Sequence, residues 1–135
     1  MADTFQLRVV TPEGQILQED VEFVLVPGEN GELGFLPNHS PLIAGLNPGV
    51  LRYNISGSKK KIALSGGFVE VADNQTTVLA DTAEIGEMID LERATAAKER
   101  AEKRLSLRTM EIDVRRAEFA LRRALARIAA AEKQR

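Results

Sequence analysis

From Glu87 to Arg135 the chain runs 49 residues without a glycine or a proline, while all ten glycines and all five prolines lie at or before Gly86. Those two residue types are the strongest helix breakers, and the stretch that lacks them is rich in Ala, Arg, Glu and Leu, the strongest helix formers. The sequence therefore divides into residues 1–86, built from short segments and turns, and residues 87–135, built from helix. Charge divides at the same place. Residues 1–86 hold 5 Lys/Arg and 11 Asp/Glu, a net of −6; residues 87–135 hold 13 and 9, a net of +4, and the two sum to the −2 of the whole chain. An acidic front and a basic back predict two units with different partners.

The front half reads as strands. "FQLRVV", "VEFVLV", "GVLRYNIS", "KKKIALS", "GFVEVA" and "TTVLA" are β-rich, with turn signals at "PEG", "PGENGELG", "NPG", "SGS" and "SGG". Strands so spaced predict an antiparallel sandwich or barrel. Alternation within them nominates Leu7, Val9, Phe23, Leu25, Leu51, Tyr53, Ile62, Leu64, Phe68, Val69, Val71, Val78 and Leu79 as core.

The back half needs more than one helix, or one very long one. A continuous helix of that length would span about 74 Å and bury no apolar stripe. A hairpin is expected, broken near "LSLRTMEID", where Ser106, Thr109 and Asp113 offer N-cap side chains. Ala94, Ala97, Ala101 and Leu105 would form one seam; Val114, Ala117, Leu121, Ala124, Leu125 and Ile128 would form the other. Seams so rich in Ala bury little area, so the pairing should be weak and able to open.

Catalysis and metal chemistry find few residues here. There is no Cys and one His, His39 in "LPNHSPL", which has no paired carboxylate at a telling spacing. "SGGF" at 65–68 lacks the preceding Gly of a nucleophile elbow, and it lacks the Lys-Ser/Thr and following helix of a phosphate loop. The N-terminus lacks the basic and apolar regions of a signal peptide, and no apolar run approaches the roughly 20 residues of a membrane span. A soluble intracellular protein, at most peripheral to a membrane, is the expectation.

The charged residues of the helical half have an ordinary role available. Asp90/Arg93, Lys98/Glu102, Glu99/Lys103, Glu111/Arg115 and Glu118/Arg122 are spaced for helix-surface pairs worth a few tenths of a kcal/mol each. Beyond that, Arg93, Arg100 and Arg104 share one face of the first helix. Arg115, Arg116, Arg122, Arg123 and Arg127 make a basic face on the second, suited to phosphates or an acidic protein surface. A nucleic-acid module would use that face, but the acidic front half and a single aromatic in the arm, Phe119, offer little for stacking. A membrane-surface helix would need a wider apolar stripe.

Four stretches taken together resemble a known family. "GELGFLPNHSPL" (31–42), "SGGFVEV" (65–71), "VLADTAE" (78–84) and "IDLERATAAKERAEKRL" (89–105) are similar, in order, to the motifs of the epsilon subunit of the bacterial-type rotary (F-type) ATP synthase. The resemblance implies a β-sandwich of about ten strands followed by an antiparallel two-helix hairpin. It implies a non-catalytic rotor subunit that couples the catalytic head to the membrane c-ring, with no required cofactor. Its partners would be the gamma subunit and the c-ring, with Glu32 and His39 on the ring side. In an extended, inhibitory state the helices would reach the alpha and beta subunits, with Arg115, Arg116, Arg122 and Arg123 meeting beta. ATP would be a regulatory ligand that holds the hairpin folded, bound by Glu84, Ile89, Asp90, Arg93, Ala94, Arg100, Arg123 and Arg127. The resemblance places the complex peripherally on the cytoplasmic face of the bacterial plasma membrane, this chain reaching the membrane only through it, and implies no nucleic-acid partner.

Overall fold

A computed structural model describes residues 3–107 and 111–132, with side chains left out for 111–113. Eight strands come first: β1 (Phe5–Thr11), β2 (Gly14–Val21), β3 (Phe23–Gly28), β4 (Gly31–Phe35), β5 (Leu42–Ile55), β6 (Ser58–Ala72), β7 (Gln75–Ala80) and β8 (Ala83–Ile85). A single 3₁₀ turn, Gly86–Met88, leads to helix α1 (Leu91–Leu107), and α2 (Glu111–Ala131) follows.

The ten expected strands are eight because two of the turn signals lie inside strands. "NPG" (47–49) falls within β5 and "SGG" (65–67) within β6, and the β5–β6 ladder runs through both from Leu42↔Val71 to Ile55↔Ser58. Gly66 and Gly67 take φ of 116° and 140°. A Cβ on Gly67 would collide with the Leu79 carbonyl, so only glycine lets β6 bend there. Each long strand therefore serves two layers. One layer runs β2-β1-β7, then the second half of β6 and the first half of β5; the other runs β8, the first half of β6, the second half of β5, then β3-β4. Counted by layer that is five and five, the expected β-sandwich. β1 and β7 are the one parallel pair among the described strands. At the β6–β7 hairpin, Asp73 and Asn74 both have positive φ, as a two-residue turn matching strand twist requires.

The core fills the space between the layers. Leu7, Val9, Leu51, Tyr53, Ile62, Leu64, Val69, Val71 and Val78 are buried there as alternation predicted, joined by Val21, Val24, Val26 and Phe35. Four nominated residues point the other way. In "VEFVLV" both phases are apolar, and the structure buries Val24 and Val26, leaving Phe23 and Leu25 half-buried on the opposite face. Phe68 and Leu79 are 59% and 52% exposed. They sit directly across from each other in the β6–β7 ladder, on the outer face. Ile43, 71% exposed, joins them diagonally through the Gly45↔Phe68 pair.

The helices form the expected hairpin. Asp90 is the N-cap of α1: its Oδ1 accepts from the Arg93 backbone N–H at 3.2 Å, and its carbonyl accepts from Ala94 N–H. Ala94, Ala101, Ala117 and Ala124 are buried in the seam, with Ala97, Leu105, Val114, Leu121 and Ile128 half-buried. Leu125 is not in it. It is 44% exposed, and α2 instead turns Ala126 and Ala130 onto Val50 and Ala63 of the outer β5–β6 face. Of the three candidate break residues, Ser106 lies inside α1, its hydroxyl donating to the Lys103 carbonyl, and Asp113 lies inside α2; Thr109 falls outside the described residues. Each buried Ala methyl is worth only about 0.8 kcal/mol, so a seam and a docking face built mainly from Ala hold loosely.

Candidate functional site

Between the sandwich and both helices lies a cavity of about 510 Å³. One wall comes from the bend inside β6, the β7–β8 connection and β8: Ser65, Asp81, Thr82 and Glu84. The other comes from the arm: Arg100 and Arg104 on α1, Arg123 and Arg127 on α2, over a floor of small residues that includes Ala97, Ala101, Ala120 and Ala124. Small residues let the helices approach closely while the long arginines reach past them. Arg100 and Arg104 are one turn apart on α1, as Arg123 and Arg127 are on α2, so all four heads can converge on one space.

The polar wall is tied down locally. The Ser65 hydroxyl accepts from Thr82 N–H at 2.8 Å, Ser65 N–H donates to the Thr82 carbonyl at 3.2 Å, and Asp81 N–H donates to the Gly66 carbonyl at 3.1 Å. Across the cavity one charge pair joins sandwich to arm. Arg127 Nη2 donates to Glu84 Oε2 at 3.2 Å, and Nε lies 2.8 Å from Oε1 without its N–H being aligned on that oxygen. Four guanidiniums face two carboxylates here, an excess of two positive charges suited to an anionic ligand. The volume is within the range of small-ligand pockets.

Of the eight residues the motif resemblance nominated for ATP, four meet at this cavity: Glu84, Arg100, Arg123 and Arg127. The other four stand at the start of α1. Ile89 lines a neighbouring cavity of about 610 Å³, together with Tyr53, Lys59, Lys60 and Lys61. Asp90 caps the helix, Arg93 is exposed, and Ala94 is fully buried in the seam. Residues 93 and 100 are two turns apart, about 10 Å along the axis, so one elongated ligand could span both groups. Arg104, read from its helical spacing to Arg100 but not named for ATP, also lines the cavity, as do Ser65, Asp81 and Thr82, which were not nominated and needed the tertiary fold. Tyr53 has its phenol pKa raised above the ordinary 10.0, first by burial and then by the Glu19 and Glu87 carboxylates.

The remaining nominated residues lie elsewhere. Glu32 is on β4, exposed, its Oε2 3.9 Å from Arg52. His39 follows β4 in an exposed loop, its ring edge-on to Phe35 at 5.0 Å and its Nδ1 2.7 Å from the Ser40 carbonyl. Asn38 N–H in that loop donates to Asn74 Oδ1, so the β6–β7 turn supports it. Arg115, Arg116 and Arg122 are exposed on α2, with Arg122 over the Phe119 ring at 5.5 Å. Arg123 belongs to the cavity wall. Of the helix-surface pairs, Lys98–Glu102 forms at 4.0 Å.

Residues 4–86 match the family model for the β-sandwich domain of the ATP synthase delta/epsilon chain, and residues 87–132 match the model for its long α-helix domain. The ATP synthase epsilon chain of Desulfitobacterium hafniense (strain DSM 10664 / DCB-2) is 66% identical over 131 residues, which is 97% of this chain and 98% of that one. The ATP synthase epsilon chain of Syntrophomonas wolfei is 58% identical over 131 residues, 96% of each chain. A chain in the cryo-EM structure of the Euglena gracilis mitochondrial ATP synthase, comprising OSCP, F1 and the c-ring, superposes with a TM-score of 0.83 at 29% identity, over 96% of this chain and 82% of that one. A chain from the central stalk and c-ring of the Tetrahymena thermophila mitochondrial enzyme shares the fold at a TM-score of 0.60 and 13% identity, over 94% of this chain and 96% of that one. With both domain models matched in order and relatives this similar along nearly the whole length, the chain belongs to the ATP synthase delta/epsilon family, as an epsilon chain.

Proposed function

We propose that this chain is a non-catalytic rotor subunit of an F-type ATP synthase, and that its helical arm is a brake on ATP hydrolysis held folded by ATP. The observation that carries the reading is the four-arginine cavity, because its walls come from the sandwich and from both helices. A ligand bound there stabilises the folded arm by RT ln(1 + [ATP]/Kd), about 2.7 kcal/mol at a hundredfold excess over Kd. Phosphate oxygens would take the guanidiniums of Arg100, Arg123 and Arg127, and the base end would lie toward Ile89, Asp90, Arg93 and Ala94.

The rest of the surface supports the partners. Ile43, Phe68 and Leu79 form an exposed apolar strip on the outer face of one layer, suited to docking on the gamma subunit. Glu32 and His39, exposed on and after β4, are available to the c-ring. Arg115, Arg116 and Arg122 are free to meet an acidic segment of the beta subunit, and Arg123 becomes free when the arm leaves the cavity. The complex would sit peripherally on the cytoplasmic face of the bacterial plasma membrane. No helix among the described residues is long and apolar enough to cross it.

The test is a reconstituted complex with full-length chain or with a chain ending at Gly86. Faster ATP hydrolysis with the shortened chain, with gamma binding retained, is the expected result. Equal hydrolysis rates would remove the brake from this reading and leave the coupling role.

A further inference from the structure

The geometry points to a latch for the arm that lies outside the arginine cavity: the ammonium of Lys61 caps the C-terminus of α2. Lys61 Nζ donates to the Ala129 carbonyl at 3.2 Å and to the Glu132 carbonyl at 3.3 Å. The last carbonyls of any helix lack intrahelical partners and form the negative end of its dipole. α2 has no basic residue in its own last turn. Among the described residues, the cation at this end comes across from β6, and it does so while the arm is folded.

A second contact lies beside the first. Gly86, the residue at which strand passes to arm, is packed so closely on α2 that a Cβ there would collide with the Ala130 carbonyl and come 3.1 Å from the Lys61 carbonyl. Lys60 Nζ meets Glu87 Oε1 at 3.2 Å on the same side, an exposed pair that adds little. The end of the arm thus rests on its own hinge, next to the apolar contact of Ala126 and Ala130 with Val50 and Ala63. None of Lys61, Gly86 and Ala130 lines the arginine cavity. The folded arm is held at the arginine cavity and at this end contact, which borders the neighbouring cavity of Ile89 and forms without ligand.

This inference rests on the reading that the arm can leave the sandwich, and the experiment separates the two. The full-length chain has no cysteine, so Ser58→Cys and Glu118→Cys, both exposed, give one labelled pair across sandwich and α2. Spin-label distances are measured without nucleotide. Lys61→Gln, which removes the charge and shortens the reach by one atom, should raise the ratio of separated to docked arm about fivefold, the effect of losing a charged cap. Lys61→Arg, which restores charge and donors, should match the wild type. Gly86→Ala should shift the ratio in the same direction as Lys61→Gln. Lys61→Gln without effect, while Arg127→Ala separates the labels, would overturn the latch and leave the movable arm standing. Lys61→Arg behaving like Lys61→Gln would overturn it too. No separation in any variant would overturn both.

Discussion

Arg127→Met keeps most of the side-chain volume of Arg127 and removes its guanidinium, so it isolates the charge contact between arm and sandwich. Arg127 and Glu84 are joined by a 3.2 Å hydrogen bond and a 2.8 Å N–O contact, with side-chain exposures of 23% and 42%. A fully exposed pair is worth about 0.2–1 kcal/mol, and breaking a buried one costs about 3–5 kcal/mol. This pair lies nearer the exposed limit, because Glu84 can rehydrate once its partner is gone. The cost is therefore about 1 kcal/mol, or roughly a fivefold shift in the docking equilibrium. Hydrogen exchange reads that shift directly, as faster exchange of α2 amides with β1 and β7 unchanged. Glu84→Gln should give a similar loss, and the double variant should lose little more than either alone, a coupling of about 1 kcal/mol. Unchanged α2 protection in Arg127→Met, or effects of the two variants that simply add, would refute the assignment of this pair as a tie between the domains.

Three further outcomes follow from other parts of the molecule. Thr76 is 1% exposed and its hydroxyl has no hydrogen-bond partner among the described residues; Thr76→Val should stabilise the sandwich by about 1 kcal/mol, seen as a melting temperature raised by roughly 4 °C, and a lowered one would refute the unpaired hydroxyl. Tyr53 is the single tyrosine and there is no tryptophan, so phenolate absorbance reports on it alone. Because its folded pKa is raised, its contribution to stability is present below the ordinary 10.0 and is lost as pH rises through the folded value; a titration midpoint at or below 10.0 would contradict the burial. Phe68→Asp should change folding stability by less than about 0.5 kcal/mol but weaken binding to gamma at least about tenfold, and unaltered binding would remove the apolar strip from that interface.

The sandwich and the hairpin were legible because composition and periodicity are local properties. Strand phase was legible only where one face is polar. "FQLRVV" put Leu7 and Val9 inward correctly, whereas "VEFVLV" and the Phe68 and Leu79 positions carry apolar residues on both faces. There a buried face and an exposed apolar face look alike in sequence. "NPG" and "SGG" looked like turns because a bend inside a long strand needs the same residues as a reversal between two. The arginines of the cavity were nominated by a motif and by helical spacing, which is local. Ser65, Asp81 and Thr82 were not, since they reach the arm only through the β7–β8 connection. The Lys61 cap left no signal either: a lysine completing a helix about 70 residues away is a fact of tertiary structure alone.

The central claim, an arm held folded by ATP, is tested most directly by calorimetric titration of the full-length chain with ATP, with ADP and GTP as controls and an Arg100→Met variant alongside. Saturable, ATP-selective binding, weakened at least about tenfold in the variant by loss of a charge-assisted phosphate contact, is the predicted result. No binding at millimolar ATP would contradict it, and would leave the four arginines as docking groups of an arm held by Lys61, Glu84 and a thin seam of alanines.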